Sequence, residues 1–481
     1  MLRVLYVSTE IHPWVKTGGL ADVNAALPAA LIASGIDTRL LFPAFPALRS
    51  AATDCGQVIA LGAAFGQHTA ALLPCRLNGV PAWLLECPEF FTREGSPYVD
   101  SKGDDWPDNL LRFALLGWTA ARLSSGELGD WQADIVHSHD WHAALANAYL
   151  VARGTPRAAS VFTVHNLAYQ GDFAARDFAT LGLPAAFYAA DGLEFFGRVN
   201  FMKAGLFFAD RITTVSPTYA REIQTPAQGH GLDGLLRARA SAVRGILNGV
   251  DALAWDPHRD PALPVRYGID DIGGKHVCKA ALRAELGLGE SAGPLIGVVS
   301  RLVPQKGLDL LLDCVPQISA AGAQVVVLGS GDTAAERAWS DTAHAYSGTV
   351  AVRIGYNEAL AHRIYAAADL FVVPSRFEPC GLTQLYALRY GALPVVRRTG
   401  GLADTVCDIT ATTLSAGRAT GFVFEEAYAS ALGAALRRAF ELWWSADTWR
   451  EVQQCAMRQD FTWGKAAVGY AALYRELCIS N

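Results

Sequence analysis

Three loops in this chain set charged side chains beside glycines where a helix-like stretch begins. Arg301-Leu302-Val303-Pro304-Gln305-Lys306-Gly307 puts two cations five residues apart on a loop entering a helix. Such a loop can grip a diphosphate from two sides with no metal; two solvated surface cations are the plainer alternative. Glu378-Pro379-Cys380-Gly381-Leu382-Thr383 offers an acceptor-only carboxylate suited to sugar hydroxyls. Gly381, Leu382 and Thr383 open a helix whose first amides can hold phosphate oxygens; an ordinary loop carboxylate and helix start would read the same. Lys16 precedes Thr17-Gly18-Gly19-Leu20-Ala21-Asp22, and the same hexapeptide returns at 399–404 behind Arg397-Arg398. Two backbone-exposing glycines beside a cation at a helix start suit a bound phosphate or sugar. An identical hexapeptide in matching contexts favours that over glycine serving turn geometry alone. It points to two similar domains facing one ligand.

Histidines form a second group. His137-Ser138-His139-Asp140-Trp141-His142 resembles a metal site at first, because His137 and His139 share a face if the segment is extended. No separate acidic cluster with ligand spacing accompanies it, so no metal is expected. Satisfied side chains at a strand end and a sugar-binding edge remain the two readings, the second preferred. Val161-Phe162-Thr163-Val164-His165-Asn166 is another strand with His at its carboxyl end, where a satisfied core histidine is the alternative.

These residues need strands to carry them. Short apolar runs at 4–8, 38–42, 134–139, 160–165 and 211–216 read as strands separated by helices such as 20–34 and 109–123. A hairpin is expected from 69–77 and 80–87 around Asn78-Gly79. The run 244–247 ends at a second turn pair, Asn248-Gly249. Residues 256–274, rich in Pro, Asp and Gly, read as a linker or hinge. A second series follows, with strands at 295–300, 324–328, 349–354, 370–374 and 393–396 and helices at 308–320, 334–346 and 358–368. The tail, 427–444 and 447–478, reads as helical. Strand–helix alternation means α/β parallel sheets covered on both faces, here two doubly wound domains. Ligands of such sheets bind at the carboxyl ends of strands, where all three loops fall.

Composition bounds the rest. At 481 residues, 51% hydrophobic and 18% charged, the chain is globular and long enough for two or three domains. A net charge of −6 argues against nucleic acid as a main partner. Nine scattered cysteines without Cys-x-x-Cys fit a reducing, cytoplasmic setting. The first residues carry too short an apolar run for a signal peptide. The uncharged stretch between Asp54 and Arg76 is long enough to cross a membrane, but its Gln67, His68, Thr69, Pro74 and glycines read as two strands and a turn, and no membrane partner is expected.

Taken together, Lys16-Thr17-Gly18-Gly19-Leu20, His139-Asp140-Trp141-His142, His165-Asn166, Asn248-Gly249-Val250-Asp251, the Arg301 loop and the Glu378 loop resemble the bacterial glycogen synthases and plant starch synthases. The likeness runs in order over essentially the whole chain. It implies the GT-B fold, two Rossmann-like domains with a cleft between them: 1–248 on the acceptor side, 249–460 on the nucleotide-sugar side, and a helix in 461–481 packing back on the first. It implies retaining transfer of glucose from ADP-glucose to the non-reducing-end 4-OH of an α-1,4-glucan, with no cofactor. Lys16 and the Gly18-Gly19 amides, with Asp22 nearby, would lie beside the diphosphate and glucose. Arg301 and Lys306 would hold the diphosphate and stabilise departing ADP, helped by the amides of Gly381, Leu382 and Thr383. Glu378 would bind glucose hydroxyls, His165 would sit at the transferred sugar, and Asp140 and Asn248 would line the same cleft. Tyr356 would stack on adenine, and Tyr98 would fall on the acceptor side.

One departure sharpens the resemblance. Related GT-B enzymes such as sucrose synthases carry a second glutamate eight residues after the first; here that position is Tyr386. Glycogen phosphorylases need a lysine bearing pyridoxal phosphate and are far longer. A non-catalytic sugar-nucleotide or glucan binder is opposed by intact Lys16, Arg301, Lys306 and Glu378.

Overall fold

The computed structural model describes residues 1–65 and 68–480. Two compact units emerge: Met1–Gly249 together with the chain from Trp463 onward, and Val250–Thr462.

The first unit is built on a nine-stranded sheet. Its strands are β1 (Arg3–Val7), β2 (Asp37–Pro43), β3 (Ile59–Ala64), β4 (His68–Leu77), β5 (Val80–Glu86), β6 (Ile135–His139), β7 (Ala159–Val164), β11 (Arg211–Thr214) and β12 (Val243–Gly245). Three short strands, β8 (Asp172–Ala174), β9 (Glu194–Phe195) and β10 (Arg198–Asn200), form a separate sheet. The large sheet runs β12-β11-β7-β6-β1-β2-β5-β4-β3, parallel except for the β3-β4-β5 edge. The β4-β5 hairpin closes at Leu77 opposite Val80, with Asn78 and Gly79 at φ of 49° and 74°, as an Asn-Gly turn demands. The other expected turn, between β3 and β4, includes Gly66 and Gln67, which lie outside the described residues.

The second unit is a six-stranded parallel sheet: β13 (Leu295–Val299), β14 (Gln324–Gly329), β15 (Val350–Ile354), β16 (Leu370–Val373), β17 (Leu393–Arg397) and β18 (Phe422–Phe424). Its order, β15-β14-β13-β16-β17-β18, is that of a nucleotide-binding doubly wound fold. Helices Leu308–Ala320, Thr333–Ala345 and Glu358–Ala367 join successive strands. Buried valines, leucines and isoleucines on both sheet faces form the core, as two-sided parallel strands require.

Both sheets reverse direction at one point. In the first, β1 and β6 are neighbours and the chain winds outward from each; in the second, β13 and β16 do the same. Lys16, Asp140, Arg301, Lys306 and Glu378 follow these four strands.

One feature differs from the sequence reading. Residues 256–274 are not a loose hinge. Asp260, Leu263 and Tyr267 are buried, and the Asp260 carboxylate accepts Tyr390 Oη at 2.5 Å and contacts His362 Nδ1 at 2.7 Å. Trp255 stacks between His362 and Tyr386, 3.9 Å from each ring centre. Proline and glycine there shape an irregular coil that packs within the second unit. The tail divides into helices Ala429–Trp443, Ala446–Met457 and Trp463–Ser480. The last belongs to the first unit, where Ala467, Tyr470, Leu473 and Tyr474 enter the core.

Candidate active site

In the first unit, the chain leaves β1 through Ser8, Thr9 and Glu10 before reaching the Lys16 turn. Glu10 was not singled out by the sequence, yet it organises the loop. Its carboxylate accepts the amide of Thr17 at 2.6 Å, the Thr17 hydroxyl at 2.6 Å, the amide of Gly18 at 3.3 Å and the Tyr98 hydroxyl at 2.7 Å. The Gly18 amide therefore points inward. Helix Gly19–Ala33 starts at the next residue, and its first-turn amides have no carbonyl partner within the helix. Gly18 is extended, with φ −160°, and a Cβ added there would meet nothing within 4 Å. Its face is open. Lys16 Nζ donates to Asp22 Oδ1 at 2.8 Å, so these two expected residues form a pair at the mouth of the loop.

The histidines divide by role. His137 is a satisfied core residue: Nδ1 is 2.7 Å from Tyr474 Oη and Nε2 is 2.6 Å from Thr163 Oγ1. His139 Nδ1 lies 3.0 Å from His165 Nε2, while its own Nε2 is buried without a hydrogen-bond partner among the described residues. Burial holds His137, His142 and His165 down at about 3, and drives His139 well below the usual imidazole range, with the neighbouring rings adding to it. Four neutral imidazoles at the end of β6 and β7 make a polar, uncharged wall. Among the described residues no group of three or more His, Cys, Asp or Glu is arranged to hold a metal ion.

Asp140 takes φ of 54°, a left-handed conformation that is rare for a residue with a side chain. Its carboxylate accepts the amide of His165 at 2.7 Å, tying the β6 end to the β7 end. Burial pushes its carboxyl up to about 7. Asn248, just beyond β12, is buried, and its side-chain oxygen has no partner among the described residues. Tyr98 is turned inward, its hydroxyl shared among Glu10, Thr9 and His142.

In the second unit, Lys306 Nζ donates to Glu378 Oε2 at 2.6 Å, and the Ser375 hydroxyl donates to the same oxygen at 2.8 Å. Gly307, at φ 64°, lets the loop pass so close to β16 that a Cβ would sit 2.2 Å from the Pro374 carbonyl oxygen. Arg376 fixes the loop's other side, bidentate to Asp309 at 2.8 and 2.6 Å and donating to the Pro304 carbonyl. Arg301 is exposed; its guanidinium lies 3.5 Å from Gln305 Oε1. Gly381 (φ 74°) and Leu382 lead into helix Thr383–Arg389. Tyr356, after β15, is 65% exposed, and its hydroxyl donates to Glu358 Oε2 at 3.3 Å.

The second Thr-Gly-Gly-Leu-Ala-Asp copy behaves differently from the first. A Cβ on Gly400 would lie 1.9 Å from the Glu378 carbonyl oxygen, and one on Gly401 would lie 2.1 Å from that of Cys380. The Gly401 amide donates to the Glu378 carbonyl at 3.1 Å. Here the glycines let one backbone rest on another. Arg398 pairs with Glu425 at 2.6 Å. Each copy thus pins a glutamate: the first holds Glu10 by its carboxylate, the second Glu378 by its main chain.

Comparison with known proteins agrees with this architecture. Residues 3–238 match the family model described as starch synthase catalytic domain, and residues 293–441 match that of glycosyl transferases group 1. A glycogen synthase of Yersinia pseudotuberculosis serotype O:1b (strain IP 31758) is 52% identical over 479 residues, 99% of this chain and 100% of that protein. One from Yersinia enterocolitica serotype O:8 / biotype 1B is equally similar, at 52% over the same span. Among solved structures, the catalytic domain of starch synthase IV from Arabidopsis thaliana, bound to ADP and acarbose, superposes with a TM-score of 0.89 at 34% identity, covering 99% of each chain. Sucrose-phosphate synthase from Thermosynechococcus elongatus shares the fold, with a TM-score of 0.62 at 19% identity and 100% coverage of both chains. The fold is GT-B, two Rossmann-like domains.

Proposed function

The chain belongs to the glycogen synthase and starch synthase family of glycosyltransferases, and from that premise we propose that it extends glycogen by moving glucose from ADP-glucose to the 4-OH at the non-reducing end of an α-1,4-glucan, with retention of the α configuration and release of ADP. The observation that carries this reading is the Lys306–Glu378 pair beside the Gly381–Leu382–Thr383 helix start. An ammonium has three donors, and Glu378 uses one of Lys306's. Two remain for phosphate oxygens. Among the described residues both side-chain contacts of Glu378 fall on Oε2, leaving Oε1 for a sugar hydroxyl.

Breaking the anomeric bond separates an oxocarbenium-like sugar from a charged diphosphate. Preorganised Lys306, Arg301, Lys16 and the helix-start amides lower the barrier by stabilising that leaving charge; one such donor is worth about 3–4 kcal/mol. Asp22 orients Lys16 through their 2.8 Å contact. The neutral His165 and the oxygens of Asp140 and Asn248 line the sugar side, and Tyr356 offers its face to adenine. Attack comes from the same face, the acceptor hydroxyl passing its proton to the leaving phosphate. No covalent glucosyl intermediate is required.

One assay tests donor and activity together. Purified protein is given glycogen with ADP-glucose or UDP-glucose, and the anomeric configuration of the new linkage is read by NMR. Incorporation from ADP-glucose into α-1,4 linkages is expected, well above that from UDP-glucose. Binding of ADP-glucose without glucose transfer would reject the catalytic reading, and a trapped glucosyl adduct on Glu378 or Asp140 would reject same-face attack.

A further inference from the structure

We infer that Glu10 is a positioning residue for the 16–19 turn, setting Lys16 and the open face of Gly18 by gathering four donors onto one carboxylate. The inference rests on the donor-site reading above and adds to it a residue and a network that sequence motifs do not carry.

Glu10 is 3% exposed and sits three residues beyond β1. Oε2 takes the amides of Thr17 and Gly18; Oε1 takes the hydroxyls of Thr17 and Tyr98. Its main chain is fixed as well. Asn24, from the second turn of the following helix, donates to the Glu10 carbonyl at 2.7 Å and to Ser8 Oγ at 2.8 Å, while accepting from Tyr6 Oη at 2.7 Å. Strand end, turn and helix are therefore locked through one side chain.

The network continues outward from Tyr98. Its phenol proton is committed to Glu10, so the hydroxyl accepts from its other neighbours. His142 stacks on the Tyr98 ring at 5.2 Å and 10°, with Nε2 3.1 Å from Tyr98 Oη and Nδ1 3.1 Å from Thr9 Oγ1. A neutral His142 protonated on Nε2 donates to Tyr98, and the single hydroxyl proton of Thr9 then serves either Tyr98 Oη or His142 Nδ1. Tyr98 accordingly acts on the loop through Glu10, whatever it also contacts with its ring.

The consequence for the site is specific. Glu10 occupies the two main-chain amides that precede the helix, so the turn presents Lys16, the bare Gly18 face and the first helical amides to a ligand. Without the carboxylate, those two amides would be free to rotate the turn toward any acceptor, and Lys16 would move with them.

Charge and geometry can be separated experimentally. In Glu10→Gln the amide oxygen can accept the two main-chain N–H groups while the amide nitrogen donates to the Thr17 and Tyr98 hydroxyls, both able to accept. Glu10→Ala removes the hub. Steady-state kinetics and hydrogen–deuterium exchange over residues 14–20 are measured on wild type and both variants. Glu10→Ala is expected to lower kcat by about 10- to 100-fold, to leave KM for glycogen within about twofold, and to speed exchange in that segment. Glu10→Gln is expected to restore slow exchange and kcat to within about fivefold of wild type. A Glu10→Gln variant as impaired as Glu10→Ala, with wild-type exchange, would overturn the inference by making the charge itself the active element. Unchanged exchange in Glu10→Ala would overturn it directly. Should Glu10→Ala fail to fold, Tyr98→Phe and Thr17→Val each remove one donor to the same oxygen; faster exchange supports the inference and unchanged exchange in both overturns it. If the wild type transfers no glucose, the donor-site reading falls, while the exchange data still decide whether Glu10 sets the turn.

Discussion

Lys306 Nζ and Glu378 Oε2 lie 2.6 Å apart, although 72 residues separate them in the chain. The contact is made because β13 and β16 are neighbours at the sheet's reversal point, and each residue sits on the loop after one of them. Removing either leaves the other without its counter-charge in a largely buried position. Glu378→Ala and Lys306→Ala are each expected to lower kcat by on the order of 100-fold or more. Circular dichroism should retain a folded signal. Near wild-type turnover in either variant would contradict the site.

Lys16→Ala separates catalysis from stability. Its partner Asp22 and its own side chain are both partly exposed, at 24% and 33%. Such a pair contributes about 0–1 kcal/mol to stability. A large fall in turnover with a melting temperature close to wild type is the expected result. A parallel loss of both would make Lys16 a structural residue.

The twin hexapeptides make a controlled comparison. Gly18→Ala adds a methyl into open space at an ordinary φ, so stability should change by less than about 0.5 kcal/mol. Any loss of activity would then report ligand approach at that face. Gly400→Ala forces a Cβ to 1.9 Å from the Glu378 carbonyl at φ 43°, and Gly401→Ala meets Cys380 at 2.1 Å. Each should cost about 2–4 kcal/mol and displace Glu378. Denaturant melts of the three variants check the contrast.

Acid stability should be governed by the histidine wall. His137, His142 and His165 fall from 6.5 to about 3 on folding through burial, and His139 is shifted in the same direction. Between those values the unfolded chain binds protons that the folded chain excludes. Their contribution is complete above about pH 6.5 and is lost as pH drops toward 3. Asp140 works the other way. Its folded value near 7 lies above 3.8, so its contribution is complete below about pH 4 and fades as pH rises through 7. Four groups outweigh one, so the melting temperature should decline steadily from pH 6.5 to pH 4. In Asp140→Asn the decline should be steeper, because the opposing group is gone. A flat profile in both proteins would refute the assignment of neutral, buried imidazoles.

Much of this molecule is legible in local sequence, and the reasons are particular. Helix 308–320 is read to the residue because Gly307 starts it and its apolar spacing is regular. The parallel strands announce themselves as short buried apolar runs, and the Asn78-Gly79 turn fixes its hairpin. Glu10 was invisible because nothing at its position marks it: a glutamate three residues past a strand gains meaning only when Thr17, Gly18 and Tyr98 fold around it. Ser375, the second donor to Glu378, was missed for the same reason. The segment 256–274 misled because Pro, Asp and Gly mark the absence of regular structure, which is not the absence of packing. The short strand Phe422–Phe424 is too brief for periodicity, and only β17 beside it makes it a strand.

The first unit is interrupted in sequence. The chain leaves it at Gly249 and re-enters at Trp463, whose helix sends Tyr470 and Tyr474 into the core, where Tyr474 meets His137 at 2.7 Å. During translation the intervening residues 250–462 are made before that helix exists. At roughly 5–20 residues per second, the ribosome takes about ten to forty seconds to traverse them. For that interval the N-terminal residues, although synthesised first, lack one wall of their hydrophobic interior, and the later-made second unit receives its last residue, Thr462, before the first unit receives its closing helix. The order of synthesis and the order of completion are thus reversed.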